Sequence, residues 1–361
     1  MPTQPIYVEV NPNGIIADLV AAYEAETGNT LHPAQVERLL INMFAYRETV
    51  LRSQIQAAAI QNLVSFSTAP ILDYLGENFG LVRLAAANAI VTVQFTTNAP
   101  ATIPSGTRVA SVDGLAVFQT LSDIIVSGTT ASGQCQSVTS GQNFNGYAIG
   151  TITNILDPQA YIVSATNTDV SAGGSNLETD EQLRNRIRLA PDSYGSAGSR
   201  NAYKFWTYSA NPLIIDVGVF RPIPGTVEVF PLLEDGTVTP QLVLDQVYAI
   251  LNADEVRPLT DTVIVTAPTQ VTYTIDVDVT IYETADPTDI QAAIEAALDA
   301  YVLQQRQMMG RDIMEDQVVA ACMVNGVYEV DLGAFSDLVI ATNEYGFCTS
   351  ITVTIIGTNE G

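Results

Sequence analysis

The chain has 361 residues, 47% of them apolar, and carries 14 basic against 39 acidic residues for a formal net charge of −25. That length suits two or three domains and that apolar content fills real cores, while the charge repels nucleic acid and anionic membrane, and no local basic patch offsets it. Cys135, Cys322 and Cys348 are too far apart and odd in number for a disulfide framework or a metal-ligand spacing, no apolar run reaches the length of a membrane helix, and MPTQPIYVEV lacks the basic-then-apolar pattern of a signal peptide.

Residues 1–12 read as extended, punctuated by Pro2, Pro5 and Pro12. Ile15, Ile16, Leu19, Val20 and Tyr23 then follow helical spacing up to Gly28. A longer helix is predicted from Pro33 to about Ser65. Its apolar positions include Val36, Leu39, Leu40, Met43, Phe44, Val50, Leu51, Ile55 and Leu63. A helix that long, against a mean of about 11–12 residues, with so broad an apolar face, wants partner helices on more than one side. Ile71 to Phe79 makes a third helix, which Gly80 is placed to cap. His32, the one histidine, sits at a helix entry without cysteine or histidine partners and reads as structural.

From Asn88 to Asn176 charged residues nearly vanish, and Thr, Ser, Gly, Val and Ile dominate. Ala89–Phe95 alternates as a strand, and further short strands fit 107–112, 116–121, 123–126, 135–138 and 161–165 between glycine-bearing turns. Asp113, Asp123, Asp157 and Asp169 are scattered turn residues rather than an acid–base pair.

The stretch Leu177–Pro231 joins this β segment to the C-terminal part of the chain. Thr179 is an N-cap with Asp180 and Glu181 in the first turn. Leu183, Ile187 and Ala190 form the apolar face, Arg184 and Arg188 a solvated or interface-facing stripe, and Pro191 the stop. The Gly195–Gly198 turn is followed by no Gly-Lys-Ser/Thr and is preceded by no strand, so a phosphate cradle is set aside. An aromatic helix with Ala202, Phe205 and Trp206 comes after it. Two α/β passages complete the chain. The first has strands at 214–220, 226–232 and 262–267 around a helix at 240–252. The second has strands at 271–282, 327–332 and 351–356 with helices at 287–305 and 317–324. The predicted class is multidomain α+β: long N-terminal helices, an inserted all-β domain, and C-terminal two-layer α/β domains with antiparallel strands. The divisions fall at 1–85, 86–176, 177–268 and 269–361. Asp276, Asp278 and Glu283 have metal-ligand chemistry, but alternation along a strand makes them a solvated face.

Short motifs in a fixed order point to a family. They are DYLGENFGLVR at 73–83, IPSGT at 103–107, AGGS at 172–175 ahead of ETDE at 178–181 and LRNRI at 183–187, and RPLTD at 257–261 ahead of Ala267-Pro268. Together they resemble the baseplate J-like family, the wedge proteins of contractile phage tails and related injection machines. The resemblance implies a structural protein of the virion tail baseplate, assembled in the host cytoplasm, with no cofactor, metal or active site. It implies pairing with other copies of itself and with a second wedge protein. It also implies contacts to the hub, the sheath-initiating protein and the tail-fibre network, and none to nucleic acid or membrane. The N-terminal helices join a helical bundle. The resemblance further implies that the C-terminal domains meet in a ring around the hub, whose change of diameter releases sheath contraction. The residues expected at such interfaces are Leu40, Met43, Phe44, Val50, Leu51, Ile55, Arg184 and Arg188. Two other classes compete. A carbohydrate-binding tail adhesin needs exposed aromatics among Phe95, Phe118, Phe144, Tyr147 and Tyr161; a hydrolase needs converging carboxylates.

Overall fold

Asparagine, proline and glycine decide where the first helix begins and ends. In the computed structural model, which describes residues 3–195, 198–234, 236–258 and 260–360, α1 spans Pro12–Thr27. The Asn11 side chain accepts from the Gly14 N–H at 3.1 Å, and Gly28, at φ 72°, donates its N–H to Glu24 O at 2.9 Å. α2 spans Val36–Ile60, shorter at both ends than Pro33–Ser65. Pro33 and Ala34 lie instead in a turn closed by Gln35 N–H to His32 O at 3.1 Å, where proline's fixed φ fits equally well. At the far end Asn62 uses its side-chain amide on Ala58 O (3.1 Å) while its N–H takes Ala59 O (3.2 Å), and the helix gives way to turns. α3, Ile71–Glu77, ends in a left-handed Gly80 with Leu81 N–H on Gly76 O at 3.1 Å. α4 spans Asp180–Ser193. Thr179 caps it reciprocally: its Oγ accepts from Gln182 N–H (3.3 Å), and its own N–H donates to Gln182 Oε1 (2.8 Å). Pro191 does not stop this helix; it lies inside it. So near the end, a proline removes one helical hydrogen bond with little helix left to disturb.

Two compact units result. The first comprises residues up to Arg83 together with Thr179–Arg188; the second comprises Leu84–Glu178 and the chain from Leu189 onward. In the first unit α1 packs on α2. The extended N-terminal segment is clipped to α2 by Gln56, whose Oε1 accepts from Tyr7 and Val8 N–H (2.8 and 3.1 Å) and whose Nε2 donates to Pro5 O (2.8 Å).

The second unit begins with a β domain. Its strands are β1 (Ile90–Thr97), β2 (Ala101–Ile103), β3 (Arg108–Ser111), β4 (Val117–Thr120), β5 (Ile124–Val126), β6 (Thr130–Ser137), β7 (Ile152–Ile155) and β8 (Ile162–Asn167). Six form one antiparallel sheet in the order β7-β3-β4-β6-β1-β8, and β2 pairs with β5. The sheet curls so that its two end strands meet through Asn167, which is buried. Its Oδ1 accepts from Ile152 N–H (2.9 Å), its Nδ2 donates to Ala148 O and Asp169 O (2.9 and 2.8 Å), and its carbonyl accepts from Gly150 N–H (3.1 Å). Every polar atom of a buried amide is thereby used, which is what keeps its burial from costing free energy. Val91, Val93, Phe95, Val109 and Phe118 fill the interior. β2 and β7 carry no alternation long enough to be seen in the sequence, and the polar first half of β6 is visible only through its pairing with β1.

Two sheet-and-helix layers complete the unit. α5 (Arg200–Tyr208), β9 (Ile214–Phe220), β10 (Thr226–Leu233), α6 (Gln241–Leu251) and β11 (Thr262–Val265) form the first, with strand order β11-β10-β9. β12 (Thr269–Tyr282), α7 (Pro287–Arg306), α8 (Glu315–Cys322), β13 (Val327–Asp331) and β14 (Glu344–Asn359) form the second, with order β13-β12-β14. The strands are not simply antiparallel. β9–β10 and β12–β13 are antiparallel, but β10–β11 and β12–β14 are parallel. Parallel neighbours need a crossover connection, and α6 supplies one between β10 and β11. The second core gathers Ile275, Val277, Val279 and Ile281 of β12 under Ile290, Ile294 and Leu298 of α7.

Candidate functional site

In the 25-residue α2 only Ile41, Ala45 and Ile60 are buried. These lie toward the side that Arg52 and Gln56 also occupy; at 3.6 residues per turn, the Leu40–Met43–Phe44 face points roughly the other way. Leu40, Met43, Phe44, Leu51 and Ile55 are all exposed, Phe44 to 62%, and Val50 is half-buried. Val36, Leu39 and Tyr46, not among the expected interface residues, are exposed as well and widen the patch. The signal for them was present in the same periodicity. A monomer gains nothing by aligning so many large apolar side chains toward water.

Several arginines bond across the first unit, among them Arg184, Arg188 and Arg83. Arg184 is the correction to the sequence reading: it is 8% exposed, not part of a solvated stripe. Its Nε donates to Val64 O and its Nη2 to Ser67 O, both at 2.7 Å, and Nη1 pairs with Glu181. The turns after α2 place two carbonyls where helical neighbours cannot satisfy them, and the planar guanidinium fork reaches both. Arg188, its companion on the helix, is exposed and donates to Ser65 Oγ at 3.2 Å. Arg83 bridges Asp73 (2.7 Å) and Asp180 (2.8 Å), and the bond to Asp73 raises its pKa against the opposing effect of partial burial.

In the second unit the turn before α5 meets the segment before β11. Tyr203 donates to Asp261 Oδ2 at 2.8 Å, and burial together with that carboxylate pushes the phenol pKa up. Gly198 stands at φ 63°, where an added Cβ would lie 2.7 Å from Pro258 Cγ and 3.1 Å from Asp261 Oδ2. Ser196, Ala197 and Leu259, which belong to the two motifs involved, lie outside the described residues. Gly198→Ala is expected to lower stability by about 1–2 kcal/mol through backbone strain and this clash. Urea unfolding followed by the fluorescence of Trp206, which lines the same small cavity, measures it; an unchanged midpoint would remove the packing role.

Reactive chemistry is sparse. Burial pushes the Cys135 thiol up to about 12 and Cys322 to about 11, and raises Cys348, so none is a ready thiolate. Asp276 and Asp278 lie exposed on the open face of β12, with Asp331 beside them along a groove of about 450 Å³. Among the described residues no group of three His, Cys, Asp or Glu is arranged to hold a metal. A second cavity of about 410 Å³, lined by Val170, Ala172, Leu213, Leu233 and Val243, has no titratable side chain in its wall among the described residues. Phe95 and Phe118 are buried in the β-domain core, and Phe144, Tyr147 and Tyr161 pack against it, so none of the five offers a platform for stacking a sugar.

Four family models match in chain order: the baseplate J-like N-terminal domain at residues 37–89, barrel domain at 92–174, central domain at 195–267 and C-terminal domain at 273–354. The chain belongs to the baseplate J-like family. Baseplate protein J of Escherichia phage P2 is 32% identical over 201 residues, 55% of this chain and 66% of that protein, a little under two thirds of its length. A chain from the cryo-EM structure of the anti-feeding prophage baseplate, 6-fold symmetrised, aligns over 92% of this chain and 89% of its own at 14% identity and a TM-score of 0.42, a likeness too loose to carry an argument. Motifs that the baseplate J-like resemblance drew from distant parts of the sequence meet in space. Arg83 of DYLGENFGLVR reaches Asp180 of ETDE. Gly198, after the joint helix, lies against Pro258 and Asp261 of RPLTD. In the baseplate J-like chain these residues serve packing between distant segments.

Proposed function

We propose that this chain is a structural wedge protein of a contractile-tail baseplate, in a phage or a related injection machine, and that it performs no catalysis. The observation that carries the reading is the exposed apolar face of α2, in a chain of this family, which no helix among the described residues covers. Other copies of the chain and a second wedge protein cover that face in a helical bundle. The C-terminal division, 269–361, carries the contact that closes a ring around the hub, and a change in that ring releases sheath contraction. Contacts to the hub, the sheath-initiating protein and the fibre network arise from that position. The divisions 1–85, 86–176 and 177–268 serve as bundle arm, barrel spacer and joint. Assembly takes place in the host cytoplasm. The net charge of −25 keeps the unassembled chain soluble despite its apolar patch.

Imaging of purified tail particles before and after contraction tests this reading. The chain is expected at the distal end of the tail, with its helices inside a bundle and its C-terminal sheet facing the central tube. Particles whose peptides, measured by mass spectrometry, do not include this chain would end the proposal.

A further inference from the structure

β14 is the longest strand of the protein, 16 residues, and it lies at the edge of its sheet with β12 as its neighbour. Long edge strands are normally protected by charge, proline or brevity, because their unpaired N–H and C=O groups template association. Beyond its first residue, Glu344, β14 has none of these. From Tyr345 to Asn359 there is no Asp, Glu, Lys, Arg or Pro, in a chain that is 15% charged. The two interruptions in its register with β12 fall at Thr349 and Ile356, leaving Ser350–Ile355 as a regular segment between them.

Within that segment, Ile351-Thr352-Val353-Thr354-Ile355 reads the same in both directions. We propose that β14 pairs with β14 of a second copy of this chain, antiparallel, with the two-fold axis at Val353. It rests on the reading that copies of this chain meet in one assembly, and it names the strand and the register. In that register Val353 faces Val353, Ile351 faces Ile355, and Thr352 faces Thr354 of the other copy. Ile351, Val353 and Ile355 are half-buried against the domain's core, while Thr352 and Thr354 are exposed on the open face. The pairing therefore runs the two apolar cores together on one side and sets threonines opposite each other on the other. Charge permits this occupant. Two molecules of net charge −25 repel, and this strand lets them meet along a line without charged side chains.

The test uses the full chain with Cys348→Ser, carrying Thr352→Cys or Thr354→Cys in separate preparations. Both positions are exposed, so the fold tolerates either. In the proposed register a thiol at 352 lies opposite one at 354 of the other copy, whereas two thiols at 352 sit on a diagonal of roughly 7 Å between Cα atoms, beyond easy disulfide reach. Mild oxidation of the mixture is expected to give a covalent dimer in at least about tenfold greater yield than either preparation alone. A mixture that cross-links no better than its components overturns the pairing, and so does a 352 thiol captured by a different tail protein. Thr352→Lys with Thr354→Lys gives a second readout: self-association of the full chain falls at least about tenfold with an unchanged circular dichroism spectrum, since like charges then face each other. Undiminished self-association of that variant overturns the strand pairing and leaves the baseplate reading intact. Selective cross-linking in a chain absent from tail particles supports the pairing and removes the baseplate reading.

Discussion

Leu40→Asp with Met43→Asp is expected to abolish assembly of this chain with the other baseplate components in co-expression, while leaving the isolated chain as stable as before. Both side chains are exposed, at 50% and 55%, so the substitutions remove little from the monomer's own core. In the proposed bundle the same positions become buried. Each large apolar side chain there contributes about 1.5–3 kcal/mol when fully covered, and an unpaired carboxylate in its place costs several kcal/mol more. The loss of affinity is then at least about a thousandfold, and co-purification on a tag carried by the partner reads it directly. Unchanged recovery of the double variant, alongside unchanged thermal unfolding, would show that this face is not the one the assembly covers.

The second large effect lies inside the first unit. Arg184→Met keeps the length and apolar stem of the side chain but removes the guanidinium that serves Val64 O, Ser67 O and the Glu181 carboxylate. Two carbonyls in the turns after α2 then lose their donor, and the expected cost is about 3 kcal/mol. The segment from Gln61 to Ala69 should show the change first, as faster amide exchange, because those turns have no helical ladder to fall back on. Arg184→Lys should recover part of the loss, since one ammonium cannot span both carbonyls as the fork does. Protection in this segment that is indifferent to both substitutions would mean that local turn bonds alone hold it. Asp180, bonded to Arg83 and at 3.3 Å from Ala69 N–H, serves the same region from one turn earlier and gives a comparison residue.

Much of this architecture was legible because its signals are local. Gly28, Gly80 and Thr179 set helix ends through local backbone geometry and bonds to residues within a few positions, and β1 alternates because one of its faces is buried throughout. Asp276 and Asp278 were placed correctly on an outer face by the same alternation. The failures share the opposite character. Arg184 and Arg188 look equivalent on a helical wheel, and only the return of residues 64–67 against α4 buries one and leaves the other exposed. Pro191 looked like a stop because local rules do not register how little helix remained for it to disturb. The parallel direction of β11 and β14 depends on crossovers, which periodicity does not encode.

By itself, then, the sequence determined the kinds of element, their order, and the apolar surplus of α2 that asks for neighbours, since all of these arise from side-chain spacing along a few turns or a few pleats. Tertiary structure alone decided which arginine became a buried clamp, that Asn167 closes the barrel, and that an uncharged strand ends up on an open edge. The physical reason is one of range. Hydrogen bonding and burial between residues a hundred positions apart are set by which backbone groups the completed fold leaves unpaired, and no window of the chain contains both partners.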